Sequence, residues 1–416
     1  MEWKLKDLTV DGKGSYGIGA PAVPYQEDKL TYLRITDIND DGSLNFSDLK
    51  SVDAEDAEKY ILKENDIVFA RTGNSTGRSY FYEKQHGTFV YAGFLIKFSL
   101  DPHKVNPRIL KYYTHSKPYF DWVNSFDTGG TRGNINAKTY GDMEIELPSR
   151  KVQDNIVSIL SSLDRKIELN NNINADLEEM AQTIFKNWFV DFEPFKDGKF
   201  VESELGMIPE GWKVISLNEI LDNVSGYSYK GSELQSSNIA MATIKNFERK
   251  GGFKTEGYKE IVISKKIKET QFVNMFDVLV AHTDLTQNAE IVGNPAIVLS
   301  KGGYEKLIMS MDLTKVISKI DGVTNGLLYC ILSTSRFKEH ALGYVNGTTV
   351  LHMSKKAVPE YTCAFPKDIN QIRDLCITLD SIYKRMAVTY DENSRLSLLR
   401  DTLLPRLMSG ELEVPE

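Results

Sequence analysis

Two stretches of this chain space their apolar positions in alternating steps of four and three. Ile156, Leu160, Leu163, Ile167, Asn170, Asn174, Leu177, Ala181, Ile184 and Trp188 form the first. Leu375, Leu379, Ile382, Met386, Thr389, Asn393, Leu396, Arg400, Leu403 and Leu407 form the second, each 219 residues beyond its counterpart. Such steps put one stripe on a helix and predict a coiled-coil seam. Pro148-Ser149 and Pro366-Lys367-Asp368 precede the two stretches, with N-cap residue types at Ser149 and Asp368. Each helix should run about 33 residues, or about 50 Å. A lone stripe of that length needs a partner, and the other copy is the natural one. Two like units related by a pseudo-two-fold would pack the helices antiparallel, with one globular domain at each end. The seam layers Asn170/Thr389 and Asn174/Asn393 are polar in both copies. They either fix register or mark a wet, splayed coil.

The remainder of the chain is also written twice. Trp3-Lys4-Leu5 returns as Trp212-Lys213-Val214 and Ile35…Asp37-Ile38 as Ile244…Asn246-Phe247, both at an offset of 209. Asp66-Ile67-Val68-Phe69-Ala70 returns as Asp277-Val278-Leu279-Val280-Ala281 at 211, and Gly130-Thr131 as Gly347-Thr348 at 217. An offset that only grows is what loop insertions in one of two copies produce. Short apolar runs bounded by Gly, Asn and Asp predict strands over Thr31–Ile38, Asp66–Arg71, Thr88–Phe98, Ile239–Ile244, Asp277–His282 and Ile291–Leu299. Pro107–Trp122 and Gly326–Glu339 read as helices, and Asp191–Met207 as a turn-rich linker. The fold class is therefore α+β: two mixed α/β domains joined by two long helices in an antiparallel coiled coil. The boundaries are 1–148, helix 149–193, linker 194–207, 208–366 and helix 367–416.

Composition narrows the class. The chain has 416 residues, and no run of about 18 apolar residues that would span a membrane. The first residues lack the form of a signal peptide. Cys330, Cys363 and Cys376 are odd in number and show no paired spacing, which points to a reducing cytoplasm rather than a disulfide or zinc framework. The net charge of −8 disfavours nucleic acid only as a global sum. Between residues 70 and 140 the Lys/Arg excess is +6, and between 225 and 270 it is +4.

Catalytic signatures are lacking. Gly12, Gly14 and Gly17 spell G-x-G-x-x-G, but Gly19, Pro21 and Pro24 follow and cannot open a helix over a phosphate. Asn106-Pro107-Arg108 and Asn294-Pro295-Ala296 lack the second proline and aromatic of an amino-methyltransferase loop, and Asp197-Gly198-Lys199 reads as a turn. No metal spacing, phosphate loop or nucleophile elbow is present. Two loops of the first copy instead suit contact with a nucleic acid. One offers Arg71, Thr72, Asn74, Thr76 and Arg78; the other offers Thr131, Arg132 and Asn134, with Lys138 behind. Hydroxyls and glycine amides suit phosphates, while Arg and Asn can fork onto guanine and adenine edges. At equivalent points the second copy has His282, Thr283 and Asn288, then Thr348, Thr349 and His352, followed by Lys355. Lys230 and Lys245 come from its basic stretch. A repeated frame with different loop residues is what a reader of a two-part sequence needs.

The layout resembles the specificity (S) subunits of type I restriction–modification systems over essentially the whole chain. The resemblance rests on Gly129-Gly130-Thr131…Ile135, Glu146-Leu147-Pro148, Ile184-Phe185-Lys186-Asn187-Trp188-Phe189-Val190-Asp191-Phe192, Gly206-Met207-Ile208-Pro209-Glu210-Gly211-Trp212 and Leu403-Leu404-Pro405-Arg406-Leu407. The second copy departs at Tyr361-Thr362-Cys363-Ala364-Phe365-Pro366, where the first has a plainer Leu-Pro. The resemblance implies two target-recognition domains reading the halves of a bipartite, asymmetric DNA site. It also implies helices that act as spacer and as docking surface for two modification subunits. Those partners would carry S-adenosylmethionine, and restriction subunits ATP with Mg; no cofactor is expected in this chain, nor any catalysis. Two readings stand beside it: a coiled-coil scaffold or partnerless DNA-binding protein, and a self-sufficient nuclease or methyltransferase with diverged motifs.

Overall fold

The computed structural model describes residues 2–126, 133–249 and 251–414. The expected contacts Thr131 and Arg132 lie outside these residues. The chain divides into two compact units, Met1–Lys166 with Leu396–Glu416, and Ile167–Arg395. In the first, Ser15–Tyr16, Leu95–Ser99, Asp66–Ala70 and Ser79–Phe81 form an antiparallel sheet in that order. A second sheet runs Ala22–Pro24, Lys50–Val52, Thr31–Leu33, Phe89–Tyr91, its last pair parallel. The other unit repeats both. Leu221–Ser225, Leu313–Ser318, Val278–Ala281 and Pro295–Ile297 make one sheet. Lys259–Glu260, Ile239–Ala242, Lys306–Met309 and Phe272–Val273 make the other, whose parallel pair, Ile239–Ala242 with Lys306–Met309, is its central one. Each copy closes with its ends together: Trp3 opposite Ile145, and Trp212 opposite Pro366. The departing sequence at Tyr361–Pro366 thus supplies the closing strand, Thr362–Pro366.

Polar details repeat with the sheets. Asp66 is buried at the start of its strand, accepts the Lys63 N–H at 2.8 Å and lies 3.5 Å from Lys97 Nζ. Asp277 accepts the Asn274 N–H at 2.9 Å and lies 3.1 Å from Lys315 Nζ. The glycine motif has a structural explanation in Gly17 and its counterpart Gly226. A Cβ on Gly17 would fall 2.3 Å from the Ala92 carbonyl oxygen, and one on Gly226 would fall 2.0 Å from that of Ser310. Both pack bare backbone against a neighbouring turn.

Elements are shorter than the patterns predicted. Thr31–Ile38 is a strand to Leu33 and then a 3-10 turn, Ile35–Asp37; Ile239–Ile244 ends likewise in Ile244–Asn246. Each turn closes because a side chain accepts an N–H three residues back, Arg34 to Asp37 at 2.8 Å and Thr243 to Asn246 at 2.9 Å. Thr88–Phe98 breaks at a tight turn into Phe89–Tyr91 and Leu95–Ser99. Asp66–Arg71, Asp277–His282 and Ile291–Leu299 shorten to Asp66–Ala70, Val278–Ala281 and Pro295–Ile297. The two mid-domain helices are each a pair, Arg108–Tyr113 with Lys117–Asn124, and Asn325–Leu332 with Ser335–Leu342. The expected linker is ordered as a turn, Glu193–Phe195, and a hairpin, Phe200–Ser203 with Gly206–Pro209. Phe192 and Phe195 meet the Trp212 ring at 5.3 and 5.2 Å, apolar packing that the turn residues concealed.

The long helices span Arg150–Phe189 and Arg373–Met408, 40 and 36 residues. Asp368 caps a preceding 3-10 turn, Ile369–Ile372, rather than the helix itself. None of the seam positions is exposed. In the first unit Ile156 and Leu160 share a core with Leu404 and Leu407, and Arg400 Nη1 donates to Asp164 Oδ1 at 3.1 Å. In the second, Leu177 and Ala181 share a core with Ile382 and Met386, and Asn170 Nδ2 donates to Asn393 Oδ1 at 2.8 Å. Numbers rise on one helix as they fall on the other, so within each unit the pairing is antiparallel.

Candidate nucleic-acid interface

In the first unit the strand Asp66–Ala70 delivers the chain to a short excursion and takes it back at once. The Gly77 N–H donates to the Ala70 carbonyl at 3.0 Å, and the Ala70 N–H donates to that of Arg78 at 2.8 Å. Gly77 needs its positive φ of 89° and its missing Cβ, which would fall 2.6 Å from Val123 Cγ1. The second predicted loop meets the first here. The Ile135 N–H donates to the Arg71 carbonyl at 3.0 Å, and Thr76 Oγ1 to that of Gly133 at 3.1 Å. Tyr119 and Tyr140, both buried, donate from beneath to the carbonyls of Gly77 (2.6 Å) and Ala70 (3.0 Å). Asn136 accepts the Thr139 N–H at 2.9 Å and so caps the helix Ala137–Gly141 that carries Lys138. Asn74, Asn134 and Lys138 are exposed, and Thr72 and Thr76 half-buried.

The two arginines of this loop differ. Arg78 donates through Nε to Asp40 Oδ1 at 2.7 Å and through Nη1 to the Ile38 carbonyl at 2.9 Å, so it braces the loop. The Arg71 guanidinium lies 5.2 Å from the Tyr16 ring centre and 5.9 Å from that of Phe94, and its buried Nε has no hydrogen-bond partner among the described residues. Rings fix its orientation without neutralising its charge. Neither Tyr16 nor Phe94 was selected from sequence. The positive balance of the region proves partly internal. Arg108 forks onto Glu83 at 2.8 and 2.7 Å, and Lys111 lies 3.1 Å from Asp164 Oδ2.

The second unit repeats this backbone pattern around a longer excursion. The Gly293 N–H donates to the Ala281 carbonyl at 2.8 Å, and the Ala281 N–H to that of Asn294 at 3.0 Å. The Met353 N–H donates to the His282 carbonyl at 2.8 Å, as Ile135 does to Arg71. Thr283–Asp284, Leu351–Met353 and Val345–Asn346 then form a small sheet with Thr283 opposite His352. Gln287 Nε2 donates to the Thr348 carbonyl. Asn288, Thr348, Thr349, His352 and Lys355 are exposed on or beside this sheet.

His282 and Thr283 do not present side chains to solvent as expected. Both are buried, because the sheet that joins the loops covers them. His282 Nε2 lies 2.7 Å from Thr314 Oγ1, and burial pushes its pKa down to about 4, so the ring is neutral at pH 7. Sequence reading also missed what shapes the loop. Buried Asp284 accepts from Thr286 N (2.8 Å), Thr286 Oγ1 (2.8 Å), Ile291 N (2.6 Å) and Val292 N (3.2 Å). Lys338 Nζ donates to the Val292 carbonyl at 2.6 Å and to Asn294 Oδ1 at 2.7 Å, and burial lowers its pKa to about 8. Exposed Lys245 lies on the turn Ile244–Asn246; just beyond it, the Glu248 and Arg249 carbonyls accept from Asn294 Nδ2 at 3.3 and 3.1 Å. Exposed Lys230 begins a separate turn, Gly231–Glu233.

Each unit therefore offers exposed amides, hydroxyls and cations on a braced backbone, suited to hydrogen bonding with base edges and phosphates. Among the described residues no three His, Cys, Asp or Glu side chains are grouped to hold a metal, and no helix is long and apolar enough to cross a membrane.

Comparison with known proteins agrees with this layout. Residues 17–179 match the family described as the type I restriction modification DNA specificity domain. The type I restriction enzyme MjaIX specificity subunit of Methanocaldococcus jannaschii is 27% identical over 74% of this chain and 69% of its own length. The HindI specificity subunit of Haemophilus influenzae is 24% identical over 85% of this chain and 88% of its own. The fold is that of a crystallised type I S subunit from M. genitalium, with a TM-score of 0.57, 15% identity, and coverage of 98% of this chain and 95% of that one. With its repeated α/β units and its paired long helices, the chain is similar to the specificity subunits of type I restriction–modification systems.

Proposed function

We propose that this chain is a DNA-sequence adaptor without chemistry of its own, each unit reading one half of a bipartite, asymmetric duplex site. One observation carries the reading. In both units a strand of the repeated frame ends in a loop whose first residue is bonded through its carbonyl to the second predicted loop, Arg71 to Ile135 and His282 to Met353. The frame is common and the exposed residues differ, as two different half-sites require. The base-reading candidates are Arg71, Thr72, Asn74, Thr76, Asn134 and Lys138, with Thr131 and Arg132 proposed from the sequence alone, then Asn288, Thr348, Thr349, His352 and Lys355. Arg78, His282 and Thr283 brace those loops, and Lys230 and Lys245 suit phosphate contact. The reading domains are 1–148 and 208–366, with the helices over 149–193 and 367–416 as spacer.

The helices also suit partners. Leu169 and Val388 are exposed and 219 residues apart, as are Met180 and Leu399. Exposed apolar residues at matched points of a repeat fit two copies of one partner. Those partners are two modification subunits with S-adenosylmethionine; restriction subunits would bring ATP and Mg. In the cytoplasm the chain would act as their guide. Selection of duplex DNA from a random pool by the full chain, at several salt concentrations, tests the reading. Salt-sensitive recovery of a two-part motif supports it, whereas recovery indifferent to salt and sequence supports a protein scaffold instead.

A further inference from the structure

Beside each reading loop stands a tight turn that carries an exposed apolar side chain. In the first unit the Leu95 N–H donates to the Ala92 carbonyl at 2.8 Å, and Phe94 at the tip is 56% exposed. In the second the Leu313 N–H donates to the Ser310 carbonyl at 3.0 Å, and Met311 at the tip is 55% exposed. Both turns are tied to the first residue of the reading loop. The Arg71 N–H donates to the Phe94 carbonyl at 3.1 Å, and the His282 N–H to that of Asp312 at 2.7 Å. Large apolar side chains held in water on braced turns are costly, and both matched turns carry one, at the third turn residue in the first copy (Phe94) and at the second in the other (Met311).

The chemistry of the neighbours narrows what these side chains meet. Phe94 lies against the Arg71 guanidinium, so whatever it touches is within reach of a forked, uncommitted cation. On a duplex, an apolar group and forked hydrogen-bond acceptors adjoin along the major-groove edge, where thymine shows its 5-methyl and guanine its N7 and O6. We propose that Phe94 in the first unit and Met311 in the second are base-reading contacts. Each covers the 5-methyl group of a thymine next to the bases taken by the polar loops. This rests on the DNA-adaptor reading.

Uracil in place of thymine removes only that methyl group. The test selects duplexes from random pools with the full chain, then compares thymine and uracil versions of the recovered site. The native chain should lose affinity by about threefold or more at one thymine in each half, the worth of one buried methyl. Phe94→Ala should bind thymine and uracil alike in the first half only, and Met311→Ala in the second half only. Both sites are exposed, so melting curves should match the native chain. A native chain that selects a motif yet ignores the exchange overturns the proposal, as does Phe94→Ala with discrimination intact. A native chain that bends DNA yet binds thymine and uracil alike, with the bending lost in Phe94→Ala, would assign a wedge and overturn it too. Failure to select any motif would instead remove the adaptor reading beneath it.

Discussion

Arg71 and His282 hold the same place in the two copies, 211 residues apart, yet their surroundings make them opposites. Arg71 keeps its charge between two rings, while His282 is buried against Thr314 and neutral. Arg71→Ala should weaken binding to the selected site roughly tenfold or more, and Arg71→Lys should not restore it, because an ammonium lacks the fork. Titration of DNA with each variant reads this directly. For His282 the sign follows from proton uptake. The unfolded ring takes its proton near 6.5 and the folded one near 4, so acidification through that window favours unfolding. The penalty approaches roughly 3 kcal/mol near the lower end. Melting temperature should fall more steeply from pH 6.5 to 4.5 in the native chain than in His282→Asn, and equal slopes would contradict this assignment. The sequence showed that both residues open a loop. It did not show that one is covered, because burial of His282 depends on Leu351–Met353, some seventy residues away, folding over it.

Among elements, the long helices were the most legible, because a seam repeated every seven residues over both copies admits few other structures. The polar seam layers were legible as residues but not as contacts. Asn170 Nδ2 reaches Glu392 and Asn393, each at 2.8 Å, and Asn393 Nδ2 reaches Asn171 at 2.7 Å, while Asn170 Oδ1 and Asn174 Oδ1 are buried with no hydrogen-bond partner among the described residues. Such a layer favours one register at the expense of stability. Replacing Asn170 and Asn393 together by Leu should raise the melting temperature while admitting alternative helix registers, detectable by cysteine cross-linking across the seam. A lower melting temperature with one register would oppose this account. The 282–292 loop was the least legible element. Its order comes from one carboxylate and one ammonium, Asp284 and Lys338, which no periodicity marks. Asp284→Ala leaves several N–H groups unpaired and should cost roughly 2–3 kcal/mol in chemical denaturation. It should also blur base preference in the second half-site alone.

For the whole molecule, the internal repeat was the decisive signal, because matched offsets foretold two copies of one frame, and the structure shows them as matched sheets and as the close-packed pair Gly17 and Gly226. Charge was the weaker guide. Part of the positive balance of the first copy, Lys97, Arg108 and Lys111, is paired with Asp66, Glu83 and Asp164, so exposed loop residues define the interface better than net charge does. Docking follows the same two-copy logic. Leu169→Glu or Val388→Glu alone should each remove one bound modification subunit, and both together should remove two, as counted by native mass spectrometry. The division of reading between the units is tested most directly by base-by-base selection with the native chain, with Arg71→Ala and with a Thr348→Ala, His352→Ala pair. The account predicts two motifs separated by a fixed gap, the first blurred only by Arg71→Ala and the second only by the pair. Blurring of both motifs by either change, or of neither by both, would contradict it.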